Sequence, residues 1–147
     1  MQTDTRADPP APARILGPAG LIPFAALALG VWLGWPGAAF GLTAYGATIL
    51  AFLGAVHWGL ALAAPAAERS ADWPRLGLGV VPALVAWIAL LLPPSLGLGI
   101  LALGILATAG VETLAARREL VPGGYLRLRW LLSAGAAGCL LAGLAAI

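Results

Sequence analysis

Three long stretches of this chain carry no Asp, Glu, Lys or Arg: Ile15 to Ala67, Leu76 to Val111, and Trp130 to Ile147. Apolar residues fall on all sides of these runs. The period-two alternation that would mark strands of a membrane barrel is missing. A hydrocarbon core of about 30 Å takes about 20 apolar helical residues per crossing, so the three stretches divide into two, two and one helices. The first divides at Gly34-Trp35-Pro36-Gly37 and the second at Pro93-Pro94-Ser95, where Pro removes a backbone donor and Gly permits a turn. The pattern predicts helices over about 15–34, 38–63, 76–92, 95–114 and 126–147. The fold class is therefore an all-α integral membrane protein, a bundle of five transmembrane helices. Helices suit this setting because each satisfies its own backbone hydrogen bonds within lipid. Spans three and four are short, which leaves open a hairpin that stops before the far surface.

Composition agrees with this division. Of 147 residues, 61% are hydrophobic and 10% charged, against roughly 25% charged in an ordinary soluble domain. All eight basic residues are arginines, at positions 6 and 14, 69 and 75, and 117, 118, 127 and 129. With five spans these groups share one side of the membrane, while the two proline turns are uncharged. The positive-inside rule then puts the N-terminus inside and the C-terminus outside. The six acids, Asp4, Asp8, Glu68, Asp72, Glu112 and Glu119, fall on or near the arginine side. Residues 1–14 are polar and proline-rich and read as a short disordered tail. The basic residues border the bilayer, with anionic headgroups as their simplest partners, and they form no stripe with exposed aromatics such as nucleic acid would need. The abundance of Ala, Gly, Leu and Arg without Lys suggests a GC-rich bacterial genome.

Candidate chemistry centres on His57, the single histidine and the one ionisable side chain well inside an expected span. Such a group is a functional candidate by default, because burying it in lipid is unfavourable. A neutral imidazole can hydrogen-bond a ligand, relay a proton or ligate a metal, and it can equally tie two helices together with Tyr45, Thr48 or Trp87 as partner. The candidate ligand-binding set is His57, Tyr45, Trp58 and Trp87. One His, one Cys and few acids supply no metal set, and no particular cofactor is implied. Glu112 near the inner end of helix four, with Arg127 and Arg129 opening helix five, predicts charge pairing at the interface. Five of the six tryptophans, Trp32, Trp35, Trp58, Trp73 and Trp130, fit two interfacial belts, and Trp87 does not. Nucleophile, phosphate-loop and zinc motifs are lacking, so the reading leans away from an enzyme.

Two patterns bear on assembly. Gly20-Leu21-Ile22-Pro23 recurs as Gly79-Val80-Val81-Pro82, which is either chance in a Gly- and Pro-rich chain or the trace of two parallel helical hairpins followed by a fifth helix. Small residues at four-residue spacing, Ala47, Ala51, Ala55 and Gly59, and again Gly135, Cys139 and Gly143, let helix backbones approach closely, either within the bundle or across a dimer.

The runs Gly20-Leu21-Ile22-Pro23-Phe24, Ala44-Tyr45-Gly46-Ala47, Phe52 to Gly59 with its His57-Trp58-Gly59, Val81 to Trp87 and Tyr125-Leu126-Arg127-Leu128-Arg129 resemble the transmembrane protein 69 family. That resemblance covers nearly the whole chain after the tail. It implies a bacterial inner-membrane protein related to a mitochondrial one, and no activity, because the family has no established reaction. The leading functional expectation is an accessory or structural protein that packs against a membrane-protein partner or itself. The alternative is binding or transport of a small lipophilic ligand, a quinone, tetrapyrrole or lipid, which requires a cavity between the second and third spans reaching His57. A proton-linked carrier using His57 and Glu112 ranks third.

Overall fold

The structure is a computed structural model that describes residues 11–63, 72–116 and 123–147. The first ten residues of the expected tail, and the charged groups at Glu68, Arg69, Arg117, Arg118 and Glu119, lie outside the described residues. Among the described residues there are six helices and no strand: α1 (Ala11–Ala19), α2 (Leu21–Trp32), α3 (Ala38–Ala63), α4 (Asp72–Leu91), α5 (Pro94–Ala116) and α6 (Gly123–Leu144).

The first expected helix is two segments meeting at Gly20, and it starts at Ala11, within what the sequence assigned to the tail. Pro23 has no N–H to give the carbonyl of Ala19 four residues back, so the chain bends there and Pro23 falls in the first turn of α2, where that donor is not needed. The α2–α3 turn follows the residues that predicted it. Gly34 and Gly37 take φ of +67° and +78°, values that a Cβ disfavours. The Trp35 amide closes back onto the Gly30 carbonyl at 2.9 Å. Between α4 and α5 the break is Leu92-Pro93, and Pro94 opens α5 at the position where a missing N–H is harmless.

α3 is central: it packs against α2, α4, α5 and α6, while α2 also packs on α6, and α4 on α5. Two glycine crossings set the closest approaches. A Cβ on Gly54 would lie 2.5 Å from the Gly79 carbonyl oxygen, and one on Gly79 would overlap the Trp58 indole, so α3 and α4 meet backbone to backbone. At Gly97 a Cβ would lie 2.6 Å from the Ala89 carbonyl and 3.0 Å from the Thr43 methyl, which joins α5 to α4 and α3. Gly20 and Gly79, the two starts of the sequence recurrence, thus have different roles: one lies at a helix junction and the other at a helix crossing.

Phe24, Leu42, Leu50, Leu98, Leu101, Ile105 and Leu140 are buried in the core, while Phe40, Phe52, Leu84, Trp87 and Leu103 stand outward. Large apolar side chains over the outer surface are what a lipid-facing bundle presents. Among the described residues, three helical stretches are long and apolar enough to cross a membrane: Ala11–Trp32, Ala38–Gly59 and Pro94–Leu114. The apolar part of α4, Leu76–Leu91, is shorter. α6 has 22 residues, with Arg127 and Arg129 in its first half.

Candidate functional site

Glu112 lies in the last turns of α5 and Arg129 in the first turns of α6, at 3% and 4% exposure, too buried for groups meant to reach the membrane surface. Arg129 Nε donates to Glu112 Oε2 at 2.8 Å. Its two terminal nitrogens donate to Ser133 Oγ and, at 3.0 Å, to Thr108 Oγ1. Thr108 in turn donates its hydroxyl to the Ile105 carbonyl at 2.8 Å. The spacing explains the assembly, since Thr108 and Glu112 on α5, and Arg129 and Ser133 on α6, are each four residues apart and share a helix face. Arg127, two residues from Arg129, is exposed and takes no part in the pair.

His57 comes to the same place from α3. It is 7% exposed, and its Nε2 stands 3.6 Å from Glu112 Oε1. Oε1 is the one buried side-chain oxygen or nitrogen, among the described residues, without a hydrogen-bond partner. At 3.6 Å the imidazole is too far for a good hydrogen bond and near enough to make one after a small rotation. The sequence offered His57 Tyr45, Thr48 and Trp87 as partners, and the structure gives it Glu112.

A cavity of about 160 Å³ opens between α3, α4 and α5, lined by Leu50, His57, Val81, Pro82, Gly104 and Thr108 among others. Pro82 sits inside α4 and has no N–H for the Leu78 carbonyl four residues back, and Leu78 is also on the cavity wall. Val81, at 56%, and Ala107 are exposed, so the cavity opens sideways onto the outer face of the bundle. A second cavity, about 350 Å³, is lined by Trp58, Trp73, Leu76, Gly77 and Val80.

The other expected ligand contacts lie elsewhere than beside His57. Trp87 is 59% exposed on the outer face of α4, because Ala86 and Ala89 are the residues that α4 turns inward at that level. Tyr45 points to the α2 side of α3, where its hydroxyl donates to the Gly20 carbonyl at 3.0 Å and its ring meets Phe24 edge-on. Trp58 borders the second cavity, and its Nε1 donates to the Leu76 carbonyl at 3.2 Å. Consecutive helical residues point about 100° apart, and His57 and Trp58 line different cavities. Sequence reasoning missed Thr108, Ser133 and the Leu78 carbonyl, although the four-residue spacings around Glu112, Arg129 and Pro82 carried the signal. Among the described residues no three His, Cys, Asp or Glu side chains gather as a metal set.

Over 89 residues the chain is 47% identical to transmembrane protein 69 of Xenopus tropicalis, a stretch that is 57% of this chain and 34% of that protein. Over 87 residues it is 39% identical to transmembrane protein 69 of Mus musculus, covering 57% of this chain and 35% of that protein. The alignments thus span about a third of the length of the curated relatives. No solved structure matches the chain. Two relatives named as transmembrane proteins and three helices of membrane-spanning length support a membrane location. Residues 9–145 match the family described as a protein of unknown function, DUF3429, and the chain belongs to that family.

Proposed function

We propose that this protein crosses the membrane five times and binds a small lipophilic molecule in the cavity beside His57. The observation that carries this reading is the position of that cavity: it reaches a buried imidazole which stands against the unpartnered oxygen of Glu112. Ionisable groups within a bundle are rare and mark sites of function, and a mostly apolar cavity with a few converging polar groups is the usual form of a ligand site. A dry cavity of about 150 Å³ accommodates benzene. The volume here therefore suits one ring or a lipid headgroup, with any tail passing between Val81 and Ala107 into the bilayer, and it is too small for a tetrapyrrole.

The uncharged turns at Trp35-Pro36 and Pro93-Pro94, opposite Arg14 and Arg127, support an N-terminus inside and a C-terminus outside. In this reading the membrane is a bacterial inner membrane, which the lysine-free, arginine-only composition supports. The accessory-protein reading rested on small-residue faces, and part of those faces is taken up within the chain. Ala47 is buried, Gly135 lies against Leu21 and Gly143 against Leu42.

The test is purification from native membranes in mild detergent, followed by mass spectrometry of extracted lipids and of co-purifying proteins. A small lipophilic compound near one per chain, lost when Ala107→Phe fills the cavity mouth, is the expected result. A stoichiometric protein partner with no such compound would replace this reading with the accessory one.

A further inference from the structure

The hydrogen-bonding groups on the cavity wall are unbalanced, and the imbalance says what the ligand must bring. Thr108 has given its hydroxyl proton to the Ile105 carbonyl and already accepts from Arg129, so it has no donor left for the cavity. Leu78, whose carbonyl receives no N–H from Pro82, brings no donor to the wall either. A neutral imidazole has one N–H and one acceptor nitrogen. With Nε2 facing the open oxygen of Glu112, its proton belongs on Nε2 and Nδ1 is left as an acceptor. The wall then offers the acceptor nitrogen of His57 and no free donor. Its charge is already balanced by the Glu112–Arg129 pair, so an ion entering the cavity would be buried uncompensated.

We infer that the ligand is a neutral, hydroxyl-bearing amphiphile, most simply a single-ring phenol or quinol with an apolar tail, whose O–H donates to His57 Nδ1. The inference rests on the ligand-binding reading above and narrows it. A ketone or ether of the same shape has nothing to donate and leaves the imidazole acceptor unsatisfied. One donor bond formed in place of an unmet acceptor corresponds to about a tenfold preference.

The probes are 4-octylphenol and its methyl ether, 4-octylanisole, which share ring and tail and differ in the donor. Equilibrium dialysis against nanodiscs holding the full chain, corrected by empty nanodiscs, reads retention of each. The phenol should be retained about tenfold more tightly than the ether, and His57→Phe, which keeps a ring but removes both nitrogens, should reduce that preference to about threefold or less. Circular dichroism confirms that the variant is folded, and the two-probe comparison on the unaltered protein stands without it. Equal retention of both probes overturns the donor inference and leaves the cavity reading intact. A tenfold preference unchanged in His57→Phe likewise overturns the assignment to His57. Retention of neither probe above empty nanodiscs overturns both readings.

Discussion

The two ends of the bundle satisfy their buried groups by different means. At the end formed by the α2–α3 and α4–α5 turns, the interior is closed by Leu42, Leu98 and Leu140, all fully buried. Its polar atoms are met by single, separate bonds: Thr43 donates to Ala39 one turn back, and the Trp32 indole caps the Ala142 carbonyl. At the other end, satisfaction is distributed. Glu112 needs Arg129, which needs Ser133 and Thr108, and one carboxylate oxygen still lacks a partner, facing His57. Satisfaction by separate bonds lets side chains fill the space. The distributed network ties α5 to α6, has His57 of α3 standing against it and leaves a cavity beside it, and that contrast is the reason for placing function at the charged end.

The strongest test of the contrast is to remove one charge. Breaking a buried ion pair leaves its partner uncompensated, which destabilises by about 3–5 kcal/mol, whereas replacing both members with apolar residues is often nearly neutral. Glu112→Leu or Arg129→Leu alone should therefore lower stability in bicelles by roughly that amount, and the double variant should recover most of it. If either single change costs under about 1 kcal/mol, the pair is solvated and the charged end is not the closed network described here.

A smaller effect belongs to the crossing of α3 and α4, the two helices that contribute residues to both cavities. Gly79→Ala puts a methyl group into the Trp58 indole, and Gly54→Ala puts one against the Gly79 carbonyl. Overpacking of this type costs about 1–3 kcal/mol, and thermal unfolding in detergent measures it. Gly59→Ala, on the same helix with nothing within 4 Å of the added carbon, is the control and should leave stability unchanged.

The sequence made the helices legible because the membrane enforces one pattern, apolar on all sides and broken by Pro and Gly. Each long helix lies within a few residues of its expected bounds, α3 matches them at both ends, and the largest offsets are the early starts at Ala11 and at Asp72. The bend at Gly20 was less legible, because Pro23 allows either a kink or a new first turn. The site was half legible. His57 and Glu112 stood out as charges in apolar surroundings, but their approach depends on how α3 packs on α5, which no local pattern encodes. Trp87 and Tyr45 were assigned to the site by residue type, while the direction each faces was set by which alanines and glycines α3 and α4 turn inward.

The least disruptive test addresses the apolar end. Trp32 is 61% exposed, yet its Nε1 donates to the Ala142 carbonyl at 2.9 Å across 110 residues of sequence, tying the end of α2 to the last turn of α6. Side-chain hydrogen bonds between membrane helices average about 0.6 kcal/mol, so Trp32→Phe, which keeps an aromatic ring and removes the donor, should cost about that much. Hydrogen exchange should show the loss as faster exchange confined to the last turn of α6, with the Glu112–Arg129 end unaffected. If instead the amides around Arg129 also lose protection, the two ends are one cooperative unit, and the small bond at Trp32 contributes to holding the charged network in register.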